Sequence, residues 1–233
     1  MSNPKVARTL AFVFAVLVCF VVAGSWIAGT QLVRPAPTIV SDQALDVPHE
    51  IVTFLSSSGS EIHGWFLPGF KGRAGVILMH GVRANRLSMI SRARFLNHTG
   101  LSVLLFDFQA HGESPGQAIT FGHREAQDAQ AAVRFMRTRL PNEPLGVFGI
   151  SLGGAATLLG KESLPVQAAI LEAVYPTIEA AISNRLAIRF GPLGRLMTPL
   201  LLSQLPLRLH IAVDEMSPVR AIVNVEFPAV VSG

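Results

Sequence analysis

The sequence predicts an α/β domain with a mostly parallel sheet and helices on both faces. Four apolar runs, at residues 75–79, 101–106, 145–148 and 168–171, are nearly continuous, which is typical of parallel strands buried on both faces. Between the second and third runs, residues 123–140 place apolar side chains three and four positions apart, the spacing of an amphipathic helix. Strands that alternate with helices in this way form right-handed βαβ units.

The segments before and after this alternating core differ from it. Residues 51–54 and 61–68 are strand-like and are joined by the polar turn 56–60, which predicts an antiparallel hairpin at the start of the domain. After the fourth run, residues 175–216 are rich in Leu, Ile and Pro and exceed an ordinary crossover in length. We interpret this stretch as a helical cap, with ordinary helical packing against the sheet as the alternative.

The N-terminal region predicts one transmembrane helix. Residues 9–33 contain no charged side chain, and about 20 consecutive apolar residues are enough to span a bilayer. Lys5 and Arg8 precede this stretch, so the positive-inside rule assigns residues 1–8 to a cytoplasmic tail and residues 9–30 to the anchor. The domain that follows is then expected on the extracytoplasmic side of a single-pass membrane protein.

A cleaved signal peptide is the alternative interpretation of the same region. Ala23, Gly24 and Ser25 offer small side chains at a spacing that suits cleavage. The apolar part of a signal peptide is normally only about 7–15 residues long. The longer stretch in this sequence therefore favours an uncleaved anchor.

The composition narrows the class of partner. Residues 31–48 contain three prolines and predict a linker to a domain at residues 49–233. The chain has 19 basic and 15 acidic residues, but its arginines are scattered rather than clustered, which argues against nucleic-acid binding. Cys19 is the only cysteine, so no intramolecular disulfide forms. The sequence does not determine the oligomeric state.

A G-x-S-x-G motif follows the third apolar run. Gly149 and Gly153 flank Ser151 at two positions on either side, and a helix-compatible segment comes next. A strand, a sharp turn and a helix form the context of a nucleophile elbow, in which the small residues leave room for the turn. The pattern indicates that Ser151 is a nucleophile, with an ordinary glycine-rich turn as the alternative.

Two further motifs follow the first and second buried runs: His80-Gly81 and the segment from Asp107 to Ser114. Together with the elbow at Ser151, they resemble the α/β-hydrolase superfamily, in particular its serine esterase and peptidase-like branch. The resemblance covers essentially everything after the linker. It implies an α/β-hydrolase fold with a helical cap, preceded by one transmembrane helix.

The resemblance also implies roles for individual residues. Ser151 is expected to form an acyl-enzyme, and the backbone N–H groups of Val82 and Leu152 are expected to form the oxyanion hole. His80, Gly81, Gly149 and Gly153 are expected to support this site without touching the substrate. His111 is expected to be structural rather than the base. No cofactor is implied, and no metal-ligand pattern such as H-E-x-x-H or C-x-x-C occurs.

The acid and the base of the expected triad have no clear counterpart. In this fold the order is Ser, then Asp or Glu, then His. Asp214 comes too early after the elbow, and His210 lies inside the presumed cap. Glu172 is a candidate acid, as in a minority of related lipases, but it leaves no base. We therefore expect a C-terminally truncated chain that lacks the last strands of the fold and is inactive alone.

These observations give two hypotheses for function. The first is a membrane-anchored serine hydrolase that cleaves an ester, thioester or amide of a small acyl-bearing substrate through Ser151. The Leu-rich cap suggests an apolar or acyl-bearing substrate, with other small esters as the alternative. The second is a non-catalytic tethered binding module that retains the α/β-hydrolase fold.

Overall fold

The computed structural model describes residues 4–232 and confirms the α/β architecture. The strands are β1 Ala36–Pro37, β2 Glu50–Leu55, β3 Glu61–Leu67, β4 Gly75–Met79, β5 Ser102–Phe106, β6 His111–Gly112, β7 Leu145–Ile150, β8 Ala168–Glu172 and β9 Ala229–Ser232. The α-helices are α1 Pro4–Val33, α2 Ile90–His98, α3 Glu125–Arg139, α4 Leu152–Leu158, α5 Ile178–Phe190, α6 Thr198–Leu202, α7 Leu205–Leu209 and α8 Pro218–Ala221.

A seven-stranded sheet forms the centre of the domain, with the order β2-β3-β5-β4-β7-β8-β9. The pairs β2–β3 and β3–β5 are antiparallel, and the remaining four pairs are parallel. The predicted opening hairpin and the parallel strands are thus confirmed. Among the described residues, β9 lies at the edge of the sheet beside β8. The expectation that further strands of the fold are missing stays a prediction.

Both faces of the sheet are buried, as the continuous apolar runs predicted. Side chains alternate along a strand, so Ile77 and Met79 of β4 pack on one face with α3 and α4. Leu78, between them, packs on the opposite face with Ile90 and Ala93 of α2. This two-sided burial explains why β4 has no polar side chains. It also fixes the position of the loops that follow the parallel strands.

The cap is helical, as predicted. It contains α5, α6 and α7, with 3₁₀ turns at Gly191–Met197 and Val213–Met216. A third apolar cluster lies beneath it, where residues of the cap helices meet residues that precede α3. The buried cap members of this cluster are Ile178, Ile182, Leu201, Leu205, Leu209, Ile211 and Met216. The cap therefore shares its own apolar core with the segment between β5 and α3.

Residues 31–48 do not form the extended linker that the sequence predicted, because they pack against the domain. Helix α1 continues to Val33, and β1 pairs in parallel with β6 of the domain. Val40 and Leu45 are buried in the apolar cluster on the α2 face of the sheet. These apolar residues are too few to produce a periodic pattern, so the sequence did not reveal the packing. Residues 4–8 of the predicted cytoplasmic tail form the start of α1, and residues 1–3 lie outside the described residues. Residue 233, at the other end of the chain, also lies outside them.

A buried ion pair fixes the segment after β5. Asp107 is fully buried and accepts hydrogen bonds from the Arg86 guanidinium, the Arg86 backbone N–H at 2.7 Å and the Glu113 backbone N–H at 3.0 Å. Burial raises the pKa of Asp107 above its ordinary value, although Arg86 opposes this effect. Arg86 is itself buried and also pairs with Glu113. The network joins the loops that follow β4 and β5.

We expect Asp107→Ala to lower the free energy of unfolding by roughly 3 kcal/mol, because it removes the buried partner of a buried guanidinium. The matched control is Glu50→Ala, which breaks the half-exposed pair between Glu50 and Arg139 and is expected to cost less than about 1 kcal/mol. Urea unfolding of the full chain in detergent measures both. Similar losses in the two variants would contradict the importance of the buried network.

Candidate active site

Ser151 occupies the turn between β7 and α4, as the G-x-S-x-G motif predicted. Its backbone has φ 49° and ψ −100°, a combination that costs free energy for any residue with a Cβ atom. The surrounding structure holds this conformation, because the Ser151 N–H donates to the carbonyl of Glu172 at 2.8 Å and the Ser151 carbonyl accepts from Ala155 N at 2.9 Å. Local strain of this kind is concentrated at functional sites.

Gly149 and Gly153 allow the turn to form. A Cβ atom on Gly149 would lie 2.5 Å from the backbone carbon of Gly153, and a Cβ atom on Gly153 would strike the carbonyl oxygen of Met79 in β4. Backbone atoms cannot move aside as the end of a flexible side chain can. The two glycines therefore let α4 begin directly against β7 and β4.

The loop after β4 lies beside the elbow. A Cβ atom on Gly81 would lie 3.8 Å from the Ser151 Cβ, so the two backbones are adjacent. Among the described residues, the backbone N–H groups of Val82 and Leu152 have no hydrogen-bond acceptor. Val82, Ser151 and Leu152 line one cavity. Two unsatisfied donors beside a serine hydroxyl are the components that an oxyanion hole requires.

His80 is buried and neutral, and its ring makes hydrogen bonds to two neighbouring loops. Its Nδ1 lies 2.8 Å from the Gly81 carbonyl, and its Nε2 accepts a hydrogen bond from the Phe108 backbone N–H at 3.1 Å. Burial, reinforced by the nearby His111, lowers the pKa of His80 to about 3. These contacts connect the loop after β4 to the loop after β5 and leave His80 outside the residues that line the Ser151 cavity.

His111 also lies outside the residues that line this cavity. Its Nδ1 is 2.9 Å from the Gln109 carbonyl, and its ring centroid is 5.1 Å from that of His80. Burial lowers the pKa of His111. Ser114, at the end of the same motif, donates to the Asp107 carbonyl at 2.6 Å and accepts from the His63 N–H. These hydrogen bonds make the loop after β5 a fixed part of the structure behind the elbow.

The cavity at Ser151 has a volume of about 170 Å³ and lies between the sheet, the cap and the end of α1. Its walls are mostly apolar, and no histidine or carboxylate occurs among the residues that line it. The lining residues are Leu32, Val82, Arg83, Phe121, Ser151, Leu152, Ala173, Tyr175, Ile178, Ala181, Ile182 and Arg185.

Two arginines in this cavity were missed by the sequence reasoning. Arg83 donates to the backbone carbonyls of Gln31 at 2.5 Å and Arg34 at 3.3 Å, so no carboxylate neutralises its charge. Arg185 is exposed on α5 and makes no ion pair within the described residues. Neither residue belongs to a sequence motif. Only the placement of the cap over the elbow brings the two guanidinium groups to one cavity.

Strained backbone is concentrated around the same cavity. Six non-glycine residues among those described have a positive φ, and four of them line it: Arg83, Phe121, Ser151 and Ala173. Tyr175 holds part of this wall, because its hydroxyl donates to the Phe121 carbonyl at 2.6 Å. Burial raises the Tyr175 pKa, so the hydroxyl remains protonated.

The structure does not bring the remaining candidate acids and base together with Ser151. Glu172 ends β8 but pairs with Arg92 at 2.7 Å. Asp214 lies 3.9 Å from Arg220, and His210 is an exposed residue that follows α7. None of these three candidates lines the Ser151 cavity.

Together, the sheet order, the cap and the elbow define an α/β hydrolase. Residues 71–224 match the family described as "Serine aminopeptidase, S33", which is well over half of the chain. The chain belongs to this hydrolase family. The matched region begins before β4 and includes the loop after β4, the elbow and the cap.

Relatives in bacteria and fungi resemble parts of the chain. The protein YfhR of Salmonella typhimurium is 27% identical over 157 residues, which are 64% of this chain and 52% of the relative. The protein MT2364 of Mycobacterium tuberculosis is 30% identical over 127 residues, or 53% of this chain and 44% of the relative. The thiohydrolase aneE of Aspergillus aculeatus is 29% identical over 140 residues, or 58% and 44%. The chain thus spans about half the length of these curated relatives.

Solved structures support the fold. An esterase of Pyrococcus furiosus superimposes with a TM-score of 0.65 at 20% identity, covering 85% of this chain and 76% of the esterase. The α/β hydrolase GrgF of Penicillium gives a TM-score of 0.55 at 18% identity, covering 79% of each chain. At these identities the likeness establishes the arrangement of strands and helices.

We expect Gly149→Ala to destabilise the protein by about 1–3 kcal/mol, because its methyl group would overlap the backbone of α4. Gly146→Ala, on the same strand, is the matched control, since a Cβ atom there would lie an ordinary 3.6 Å from the Ala168 carbonyl. Urea unfolding in detergent measures both variants. Equal stabilities of the two variants would contradict the close packing at the elbow.

Proposed function

We propose that this chain is a membrane-anchored serine hydrolase in which Ser151 attacks the acyl carbon of an ester, thioester or amide. Membership of a hydrolase family supports the reaction class. The observation that carries the proposal is the strained Ser151 backbone, in a cavity shared with two backbone N–H donors that lack acceptors. The fungal relative named as a thiohydrolase supports including thioesters among the candidate substrates.

The proposed reaction proceeds in two stages. The Ser151 Oγ bonds to the acyl carbon, and the carbonyl electrons move to the oxygen, which accepts hydrogen bonds from the N–H groups of Val82 and Leu152. Each such donor is worth about 3–4 kcal/mol in the transition state. The carbonyl then re-forms and expels the leaving group, which takes the proton lost by the serine. Water repeats the sequence on the acyl-enzyme and releases the acid.

The proton acceptor for Ser151 is the component that the cavity lining does not supply. The lining contains neither a histidine nor a carboxylate, and Glu172 is engaged by Arg92. Without a base, the oxyanion hole and substrate binding provide at most about 10³–10⁴-fold acceleration over water. We therefore expect the 233 residues alone to be close to inactive.

A non-catalytic binding module is the second candidate function. The cavity lining favours it, because this lining has no base but retains apolar walls and two arginines that form no ion pair with any described carboxylate. An acyl compound that carries a carboxylate would suit this lining. The reactivity of Ser151 separates the two candidates.

We expect a fluorophosphonate probe to label the folded chain slowly and only at Ser151. Ser151→Ala should abolish the labelling, whereas Ser203→Ala, which removes an exposed hydroxyl from the end of α6, should leave it unchanged. Mass spectrometry of the labelled peptide identifies the site. Labelling that persists in Ser151→Ala would contradict the hydrolase proposal. A folded chain that binds octanoate but never labels would favour the binding module.

The membrane anchor is proposed from α1. Within this helix, Arg8–Val33 is long enough to cross a bilayer and contains an 18-residue window with a mean hydropathy of 2.6, a test that signal sequences also pass. Lys5 and Arg8 favour a cytoplasmic N-terminus and an extracytoplasmic domain. Ser25, where a signal peptidase would cut, is buried and lies 3.4 Å from Gln204 Nε2. This contact supports an anchor that stays attached.

Gly29 and Gly24 test the docking of α1 on the cap. A Cβ atom on Gly29 would collide with the Gln204 side chain, whereas one on Gly24 would have no atom within 4 Å. We expect Gly29→Leu to weaken the contact and to accelerate hydrogen exchange of the amides in α6 and α7 roughly tenfold. Gly24→Leu, in the same nanodisc preparation, should leave exchange unchanged. If both variants exchange like the unmodified chain, α1 does not dock as described.

A further inference from the structure

The cap has an apolar outer surface that no part of the described chain covers. Ile188, Leu193 and Leu196 have 88%, 72% and 74% of their surface exposed, and Phe190 is more than half exposed. These four residues, here called the cap surface, fall within nine consecutive positions. Single exposed apolar residues are ordinary on any protein, whereas a concentration of large ones indicates an interaction site.

The cap is fixed to the end of α1 by polar contacts. Arg208 of α7 donates to the Thr30 hydroxyl at 2.9 Å and to the Trp26 carbonyl at 2.8 Å. Its guanidinium also lies 4.1 Å from the centre of the Trp26 ring. Gln204 reaches the Ser25 carbonyl at 3.3 Å. These contacts therefore hold the cap close to the last turns of α1.

Helix geometry then determines how close the cap lies to a bilayer. Residues 10–29, at 1.5 Å per residue, are about 30 Å long, which equals the thickness of the hydrocarbon core. Ser25 and Trp26 lie in the last part of that length and Thr30 directly follows it, and all three accept hydrogen bonds from the cap. A cap attached there lies at the boundary between acyl chains and headgroups.

The charges of the cap suit an anionic membrane. Between Ile178 and Leu209 the chain has four arginines and a single acidic residue, Glu179. Arg185, Arg189 and Arg195 are exposed and alternate with the residues of the cap surface. Basic side chains beside exposed aliphatic and aromatic residues are characteristic of segments that lie in the membrane interface.

We propose that the cap is a second membrane-contact surface: Ile188, Phe190, Leu193 and Leu196 enter the outer headgroup region of an anionic bilayer, while the neighbouring arginines contact lipid phosphates. The proposal rests on the proposed anchoring by α1. Because Arg185 and Ile182 of the same helix α5 line the Ser151 cavity, that cavity lies within about two helical turns of the lipid.

Lipid quenching of a site-specific fluorophore tests the proposal. The parent protein is the full chain with Cys19→Ser. Three variants each add one cysteine to it: Leu193→Cys, Phe14→Cys or Lys71→Cys. Each new cysteine is labelled with an NBD group, and the protein is reconstituted in phosphatidylcholine–phosphatidylglycerol vesicles. Leu193 reports the cap, Phe14 reports α1, and Lys71 precedes β4 at the end of the sheet away from the elbow. A lipid with its spin label at the headgroup should quench the fluorophore at position 193. A lipid with its spin label deep in the acyl chain should quench the fluorophore at position 14. Neither lipid should quench the fluorophore at position 71.

The other outcomes separate the failure of the cap proposal from the failure of the anchor. Quenching at 14 without quenching at 193 would overturn the cap proposal and retain the anchor. Quenching at neither position would overturn both. A blue-shifted emission at 193 without lipid quenching would place a second protein chain on the cap surface and would also overturn the proposal.

The arginines provide a second, independent measurement. Arg189→Gln with Arg195→Gln removes two charges that do not line the Ser151 cavity. We expect this double variant to lower the ratio of docked to undocked cap about thirty-fold in anionic vesicles, as judged by quenching at 193. Equal quenching of the parent and the double variant in anionic vesicles would overturn the contact between arginines and lipid phosphates.

Discussion

The close backbone contact among β4, β7 and α4 is the constraint on which the rest of the site depends. Only glycine fits at positions 149 and 153, because a methyl group at either would meet main-chain atoms. That contact forces Ser151 into its strained conformation at the start of α4. Leu152 is the first residue of α4, so its N–H has no intrahelical acceptor, and Leu152 and Val82 line the same cavity. Packing of the sheet thus positions Ser151 beside these two backbone donors.

A second set of contacts, from the cap and from α1, encloses the side of the cavity that faces away from the sheet. The cap contributes α5 to the cavity wall, and α1 contributes Leu32. Arg83 links these regions, because it lines the cavity and donates to main-chain carbonyls at the end of α1. Helix α1 is therefore part of the structure around Ser151 rather than a detached segment. A change in the position of α1 would be transmitted to the cavity through these contacts.

Local patterns made the strands, the hairpin, the cap and the elbow predictable from the sequence. Continuous apolar runs identified β4 and β5 because both of their faces are buried, and the motif around Ser151 identified the turn because only glycine fits its flanks. Arg185 could not be found in this way, because the fold of the cap alone brings it to the cavity. Val40 and Leu45 were likewise missed in the predicted linker, since each fills a site defined by residues distant in the chain.

The most direct test of the account is a crystal structure of the chain after reaction with a fluorophosphonate. The central claim is that Ser151, Val82 and Leu152 form one site for a tetrahedral oxyanion. We expect a phosphonyl group bonded to the Ser151 Oγ, with its oxygen within hydrogen-bond distance of both backbone N–H groups, about 2.7–3.1 Å. A phosphonyl oxygen that points away from these donors, or a phosphonyl group on another side chain, would contradict it.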